Sequence, residues 1–98
     1  MMTTMLRGIE LRYVLTMHLS QQGPATITEM IDVLAWHGFA VPGRASKAVS
    51  DALRWEVQRG RVYRLGRGRY GSAYIPRSTE YRILQRVLAL RAVARGAP

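Results

Sequence analysis

At Gly60 the side-chain period of this chain changes. From Arg44 to Arg59 apolar residues recur at the helical spacing of about 3.6, whereas from Arg61 to Ile75 short β-branched and aromatic runs take over. A chain that switches period at one glycine has to join a helix end to end with a two-stranded hairpin. On the helical side Ala45, Val49, Ala52, Leu53 and Val57 share one face, and Lys47, Ser50, Asp51, Arg54 and Gln58 share the other. Gly60 suits the position just past a helix C-terminus, and Arg59 stands in the last turn, where the helix dipole favours a cation. Val62 to Leu65 and Tyr70 to Ile75 read as strands, and Gly66-Arg67-Gly68-Arg69 supplies the backbone freedom of a tight connection.

The flanking segments are helical. Residues 6–20 are apolar almost all round, with Leu6, Ile9, Tyr13, Val14 and Met17 on one side and Leu11, Leu15 and Leu19 on another. Such a helix is buried on both faces or pairs with a partner chain. Gln21-Gln22-Gly23-Pro24 stops it. A second helix is expected over 26–38, opened by a Thr26-x-x-Glu29 capping box, striped by Ile27, Met30, Ile31, Leu34 and Ala35, and ended by Gly38. The third, 44–59, starts near Pro42 or is capped by Ser46. The hairpin covers 61–75. After Pro76 a last helix, 78–95, is expected with Ser78 as cap. Its two apolar sides, Tyr81/Leu84/Leu88 and Ile83/Val87/Leu90/Ala94, exceed what one small core can take. One side is assigned to the core, and Ile83, Val87, Leu90 and Ala94 to a homodimer interface. The expected fold is α+β, mainly α with a small β-hairpin, as one domain over 1–98.

Composition narrows the function. The chain has no cysteine, which excludes a disulfide scaffold and a thiolate metal site. His18 and His37 have no matched acidic neighbours and read as helix C-terminal cations or core donors, so neither metal nor cofactor is expected. No carboxylate pair or nucleophile–base constellation is present, and an enzyme is not expected. Gly66-x-Gly68-x-x-Gly71 matches a dinucleotide fingerprint in form only, because Pro76 ends the segment without a helix. Arg7, Glu10 and Arg12 interrupt the apolar start, and no run approaches the roughly 18 residues of a membrane span. A cytoplasmic protein without membrane contact is expected. Trp36 and Trp55 read as core or rim residues, with Trp55 sealing its helix against the first or last helix. Glu56 falls within the apolar stripe and needs a partner, for which Arg59 and Arg82 are candidates.

Charge is the strongest compositional signal. Of fifteen cations fourteen are arginine, and the net charge is +9. Residues 1–43 carry two basic and three acidic side chains, and residues 44–98 carry thirteen and three, so basicity begins with the third helix. Lys47, Ser50 and Arg54 form one row on its outer face, with Asp51 beside it as a charge partner. A row of that spacing can donate to guanine O6/N7 or to phosphate. Arg44 and Ser46 at the helix start suit phosphate contacts. Arg61, Arg64, Arg67 and Arg69 crowd the hairpin, where like charges repel unless an anion meets them, and Arg67-Gly68-Arg69 suits a narrow minor groove. Tyr63, Tyr70 and Tyr74 read as packing residues.

The order helix, helix, helix, hairpin, helix resembles the winged helix-turn-helix family, and among its members the dimeric bacterial transcription regulators of the MarR and PadR kind. The likeness covers about residues 6–94 and rests on Ser46-Lys47-Ala48-Val49-Ser50-Asp51-Ala52-Leu53, on Gly60-Arg61-Val62-Tyr63-Arg64, and on Gly68-Arg69-Tyr70-Gly71. The resemblance implies a third helix in the major groove of double-stranded DNA, a basic wing on backbone or minor groove, a homodimer, and a place in the nucleoid. Two other functions fit the same residues. One is a nucleoid-associated or phage protein of low sequence preference; the other is an interaction module, such as an antitoxin or complex subunit, whose basic face holds an acidic protein.

Overall fold

The computed structural model describes residues 3–96. It is an α+β fold, mostly helical, with four helices and a small antiparallel sheet. The elements run β1 (Thr4–Met5), α1 (Gly8–Gln22), β2 (Ala25–Thr26), α2 (Ile27–Trp36), β3 (Phe39–Ala40), α3 (Ala45–Gln58), β4 (Val62–Gly66), β5 (Arg69–Ser72) and α4 (Arg77–Ala94). Strands β2, β5 and β4 form the antiparallel sheet in that order, and β1 pairs with β3 in parallel.

Helix α1 is central, as its all-round apolarity requires. Leu11, Val14, Leu15, Thr16, Met17 and Leu19 are buried, and one apolar cluster joins them to residues of α2, α3, the sheet and α4. The helix begins at Gly8 rather than Leu6: Arg7 before it is extended, with φ −138° and ψ 155°, and the Leu6 N–H donates to the Ala40 carbonyl at 2.8 Å. Leu6 extends the β1–β3 pairing and enters the core from it. Thr26 caps α2 as expected: its Oγ1 accepts from the Glu29 N–H at 3.1 Å, and its own N–H donates to Glu29 Oε1 at 2.8 Å. The same residue pairs with Arg69 of β5, so the box ties helix to sheet. The Thr26 backbone N–H first, and the Thr26 hydroxyl second, draw the Glu29 carboxyl below its ordinary range.

Three caps and faces differ from the sequence expectation. Helix α3 is preceded by Arg44, without a side-chain cap, and Ser46 lies inside its first turn. Val57 is exposed, so the buried stripe of α3 is Val49, Ala52, Leu53 and Glu56. Helix α4 begins at Arg77 straight after Pro76, whose carbonyl accepts from the Glu80 N–H at 2.9 Å, and Ser78 does not cap it. The hairpin is compact, since Arg67 and Gly68 alone separate its strands and Gly68 takes φ +67°. Across the strands Tyr63 pairs with Gly71, and a Cβ at Gly71 would meet the Tyr63 ring at 3.0 Å. The ring lies over Gly71, so a larger residue there needs the exposed Tyr63 side chain to give by a few tenths of an ångström.

Helix α4 inverts the expected use of its two sides. Ile83 and Val87 are fully buried, Leu90 is buried, and Ala94 lies half-buried against Gly38. Those four residues belong to the chain's own core and are not a dimer interface. Tyr81 and Leu88 are exposed on the opposite side, and Leu84 lies half-buried at the edge, packed against the core. Polar contacts on either side of the core-facing stripe fasten the helix to α1: Arg86 donates to Glu10 at 3.0 Å, and Ser20 to Glu80 at 3.2 Å.

Candidate nucleic-acid interface

The outward face of α3 carries a small charged system. Lys47 Nζ donates to Asp51 Oδ2 at 2.8 Å, and Arg54 approaches the other oxygen at 3.9 Å. All three side chains reach solvent, at 74%, 71% and 46% relative exposure for Lys47, Arg54 and Asp51. The Lys47 hydrogen bond lowers the Asp51 pKa. Ser50 is half-buried beside the row, while Arg44 and Ser46 are exposed where the chain enters α3. The structure therefore brings Lys47, Asp51 and Arg54 into contact. Asp51 is a member of the row, holding both cations in the free protein and able itself to accept from a base amino group.

The hairpin presents Arg64, Arg67 and Arg69, all exposed. Arg64 Nε donates to the Gly66 carbonyl at 3.1 Å, folding its side chain along its own strand. Arg67 occupies the turn. Arg69 stands in β5 opposite Thr26, and its positive charge contributes to the lowered pKa of Glu29. The reach of the turn is short: β2 pairs with β5 as far as Arg69, and the Gly68 carbonyl accepts from the Ile27 N–H at 2.9 Å just beyond it.

Arg61 is not part of that exposed set, in contrast to the sequence expectation. Its Nε and Nη2 bind Glu56 Oε1 and Oε2 at 2.9 and 3.0 Å, with side-chain exposures of 14% for Arg61 and 0% for Glu56. Thr16 Oγ1 of α1 donates to Glu56 Oε1 at 2.6 Å, and the guanidinium lies 5.8 Å from the centre of the Tyr13 ring. The hydrogen bonds to Glu56 raise the Arg61 pKa further. Neither Arg59 nor Arg82 is the partner of Glu56. Arg61 also takes part through its backbone, donating to the Glu56 carbonyl at 3.1 Å and accepting from the Ala73 N–H at 3.0 Å. It joins α1, α3 and the base of the hairpin. The signal missed in the sequence is the turn at Gly60, φ +76°, which brings Arg61 back along α3.

Among the described residues no group of three or more His, Cys, Asp or Glu is placed to hold a metal ion, and no helix is long and apolar enough to cross a membrane. No family model, curated protein or solved structure matches the chain.

Proposed function

We propose that the chain is a winged helix-turn-helix protein that binds double-stranded DNA, with α3 in the major groove and the β4–β5 hairpin as a wing on the backbone or minor groove. One observation carries the reading: two cationic surfaces, the Lys47/Arg54 row and the Arg64/Arg67/Arg69 hairpin, are linked through the buried Arg61–Glu56 pair rather than by a flexible joint. A fixed relation between helix and hairpin is what simultaneous contact with groove and backbone requires. The charge supports the same reading, since a +9 chain with most of its cations in the second half attracts a polyanion at long range.

The work assigned to the protein is that of a dimeric transcriptional regulator in the nucleoid. With Ile83, Val87, Leu90 and Ala94 committed to the core, pairing of two copies falls to the outer side of α4, where Tyr81, Leu84 and Leu88 form an apolar row. Selection from a random duplex pool at near-physiological salt, together with the molar mass in solution, tests the proposal. A palindromic consensus with half-sites about one helical turn apart, from a particle of twice the chain mass, is expected. Binding without enrichment replaces it with a low-specificity nucleoid protein, and absence of binding replaces it with a module for an acidic protein partner.

A further inference from the structure

We infer that Asp51 reads a cytosine through its N4 amino group, and that methylation of that nitrogen blocks the contact. The inference rests on the placement of α3 in the major groove proposed above.

The carboxylate is already set for such a contact in the free protein. Lys47 Nζ donates to Oδ2 at 2.8 Å, whereas the nearest cation to Oδ1 is Arg54 at 3.9 Å, beyond hydrogen-bond reach. Among the described residues nothing donates to Oδ1, which leaves one oxygen open toward solvent. The Lys47 hydrogen bond, the first cause of the lowered Asp51 pKa, keeps the group ionised, so that oxygen can accept and cannot donate. A lone carboxylate on this face would be repelled by the phosphates of a duplex. Lys47 and Arg54, on either side of it along the helix, offset that repulsion and hold the side chain in the row.

The major groove offers few donors to such an acceptor. Only cytosine N4 and adenine N6 carry N–H groups there; guanine O6 and N7 and thymine O4 are acceptors, which repel a carboxylate. Adenine places its N7 acceptor beside N6, whereas cytosine has a C–H beside N4. Cytosine is therefore the base that meets the open oxygen without a neighbouring acceptor. The guanine across the pair presents O6 and N7 to Lys47 or Arg54, so one C·G pair answers carboxylate and cation together.

This contact depends on one hydrogen. Of the two on cytosine N4, one pairs with guanine O6 inside the duplex and the other faces the groove. A methyl group on N4 that preserves the base pair takes the groove side and removes the hydrogen that Asp51 accepts. A methyl group on C5 stands in the same groove but leaves that hydrogen in place.

The test starts from the consensus that the wild-type chain selects from a random duplex pool. Affinity for that duplex is measured by fluorescence anisotropy with each C·G pair in turn carrying N4-methylcytosine or 5-methylcytosine, or replaced by T·A. One cytosine in each half-site is expected to lose about tenfold or more in affinity with N4-methylcytosine and with T·A, and less than about threefold with 5-methylcytosine. Asp51→Asn, on the exposed face, is expected to flatten the preference for cytosine at that position and to reduce the N4-methyl penalty to below about threefold. A consensus in which no cytosine behaves this way, equal losses from the two methyl groups, or a penalty that survives Asp51→Asn overturns the role of Asp51 and leaves the DNA-binding reading standing. Absence of any enriched sequence overturns both.

Discussion

Two of the ion pairs that helix α3 takes part in differ little in sequence and completely in setting. Lys47–Asp51 lies four residues apart on the outer face with both partners wet, and Glu56–Arg61 lies five apart with the carboxylate at 0% exposure. In the first, water competes for both charges, so the pair is worth little and either member can be exchanged for a ligand. In the second, the carboxylate is shielded from water and held by Thr16 and both prongs of one guanidinium. The first is an available surface, and the second is a fastening. The same contrast separates the arginines of the hairpin, where Arg61 anchors the base and Arg64, Arg67 and Arg69 are left outside.

Breaking the fastening is expected to have the largest effect. Arg61→Ala leaves the Glu56 carboxylate buried with only a hydroxyl donor, at a cost of about 3–5 kcal/mol by the usual penalty for an orphaned buried charge. Replacing both members, Glu56→Leu with Arg61→Met, removes the charge along with its partner and is expected to recover much of that loss. Chemical denaturation of the two variants decides it. Equal destabilisation would mean that the shape of the pair, not its charge, holds the hairpin to α3.

The outer pair predicts the reverse pattern. Lys47→Ala and Arg54→Ala are expected to change stability by no more than about 0.5 kcal/mol. On the DNA-binding reading each costs about 1–3 kcal/mol of preference between cognate and altered duplexes. Asp51→Asn releases both cations and is expected to tighten binding to every duplex while reducing discrimination. Arg67→Ala with Arg69→Ala is expected to weaken all duplexes alike and to lower the slope of log K against log salt by about 0.9 for each phosphate that the variant no longer neutralises. If the hairpin variant alters sequence preference and the helix variants do not, the assignment of readout to α3 is wrong.

What was legible in the sequence divides along the same line of range. The Thr26–Glu29 box and the amphipathic α3 depend on residues three or four apart, and both stand in the structure. Strands β1, β2 and β3 have two residues each, too short for any period to declare itself, and exist because another segment completes them. The partner of Glu56 was missed because helical spacing pointed to Arg59, whereas the chain leaves the helix at Gly60 and returns Arg61 to the same carboxylate. Both sides of α4 are apolar, so its pattern could not rank them. The docking against α1, fastened at Glu10–Arg86 and Ser20–Glu80, put Ile83 and Val87 inside. Of the candidate site, the exposed cations were legible one by one, but the burial of Arg61 belongs to tertiary structure alone.

The smallest expected effect concerns two partly buried histidines that have a neighbouring arginine and no carboxylate ion pair. His18 of α1 and His37 after α2 line one surface pocket with Arg91 of α4. Burial is the first cause lowering both pKa values, and the Arg91 charge adds to it; for His18 the Glu29 carboxylate opposes the shift, and for His37 Arg95 and His18 reinforce it. With folded values below the ordinary 6.5, the unfolded chain binds more protons than the folded one as pH falls through that value. Stability therefore rises with pH across this window and declines on acidification, opposite to the trend of a histidine paired with a carboxylate. Denaturation midpoints measured from mildly alkaline to mildly acid pH read the slope, which His18→Gln with His37→Gln is expected to flatten. Arg91→Gln is expected to flatten it in part, since burial persists when the charge is gone. A slope that survives loss of both histidines overturns this assignment, because Asp51 and Glu29, whose pKa values are lowered, lose their own contributions only at more acid pH.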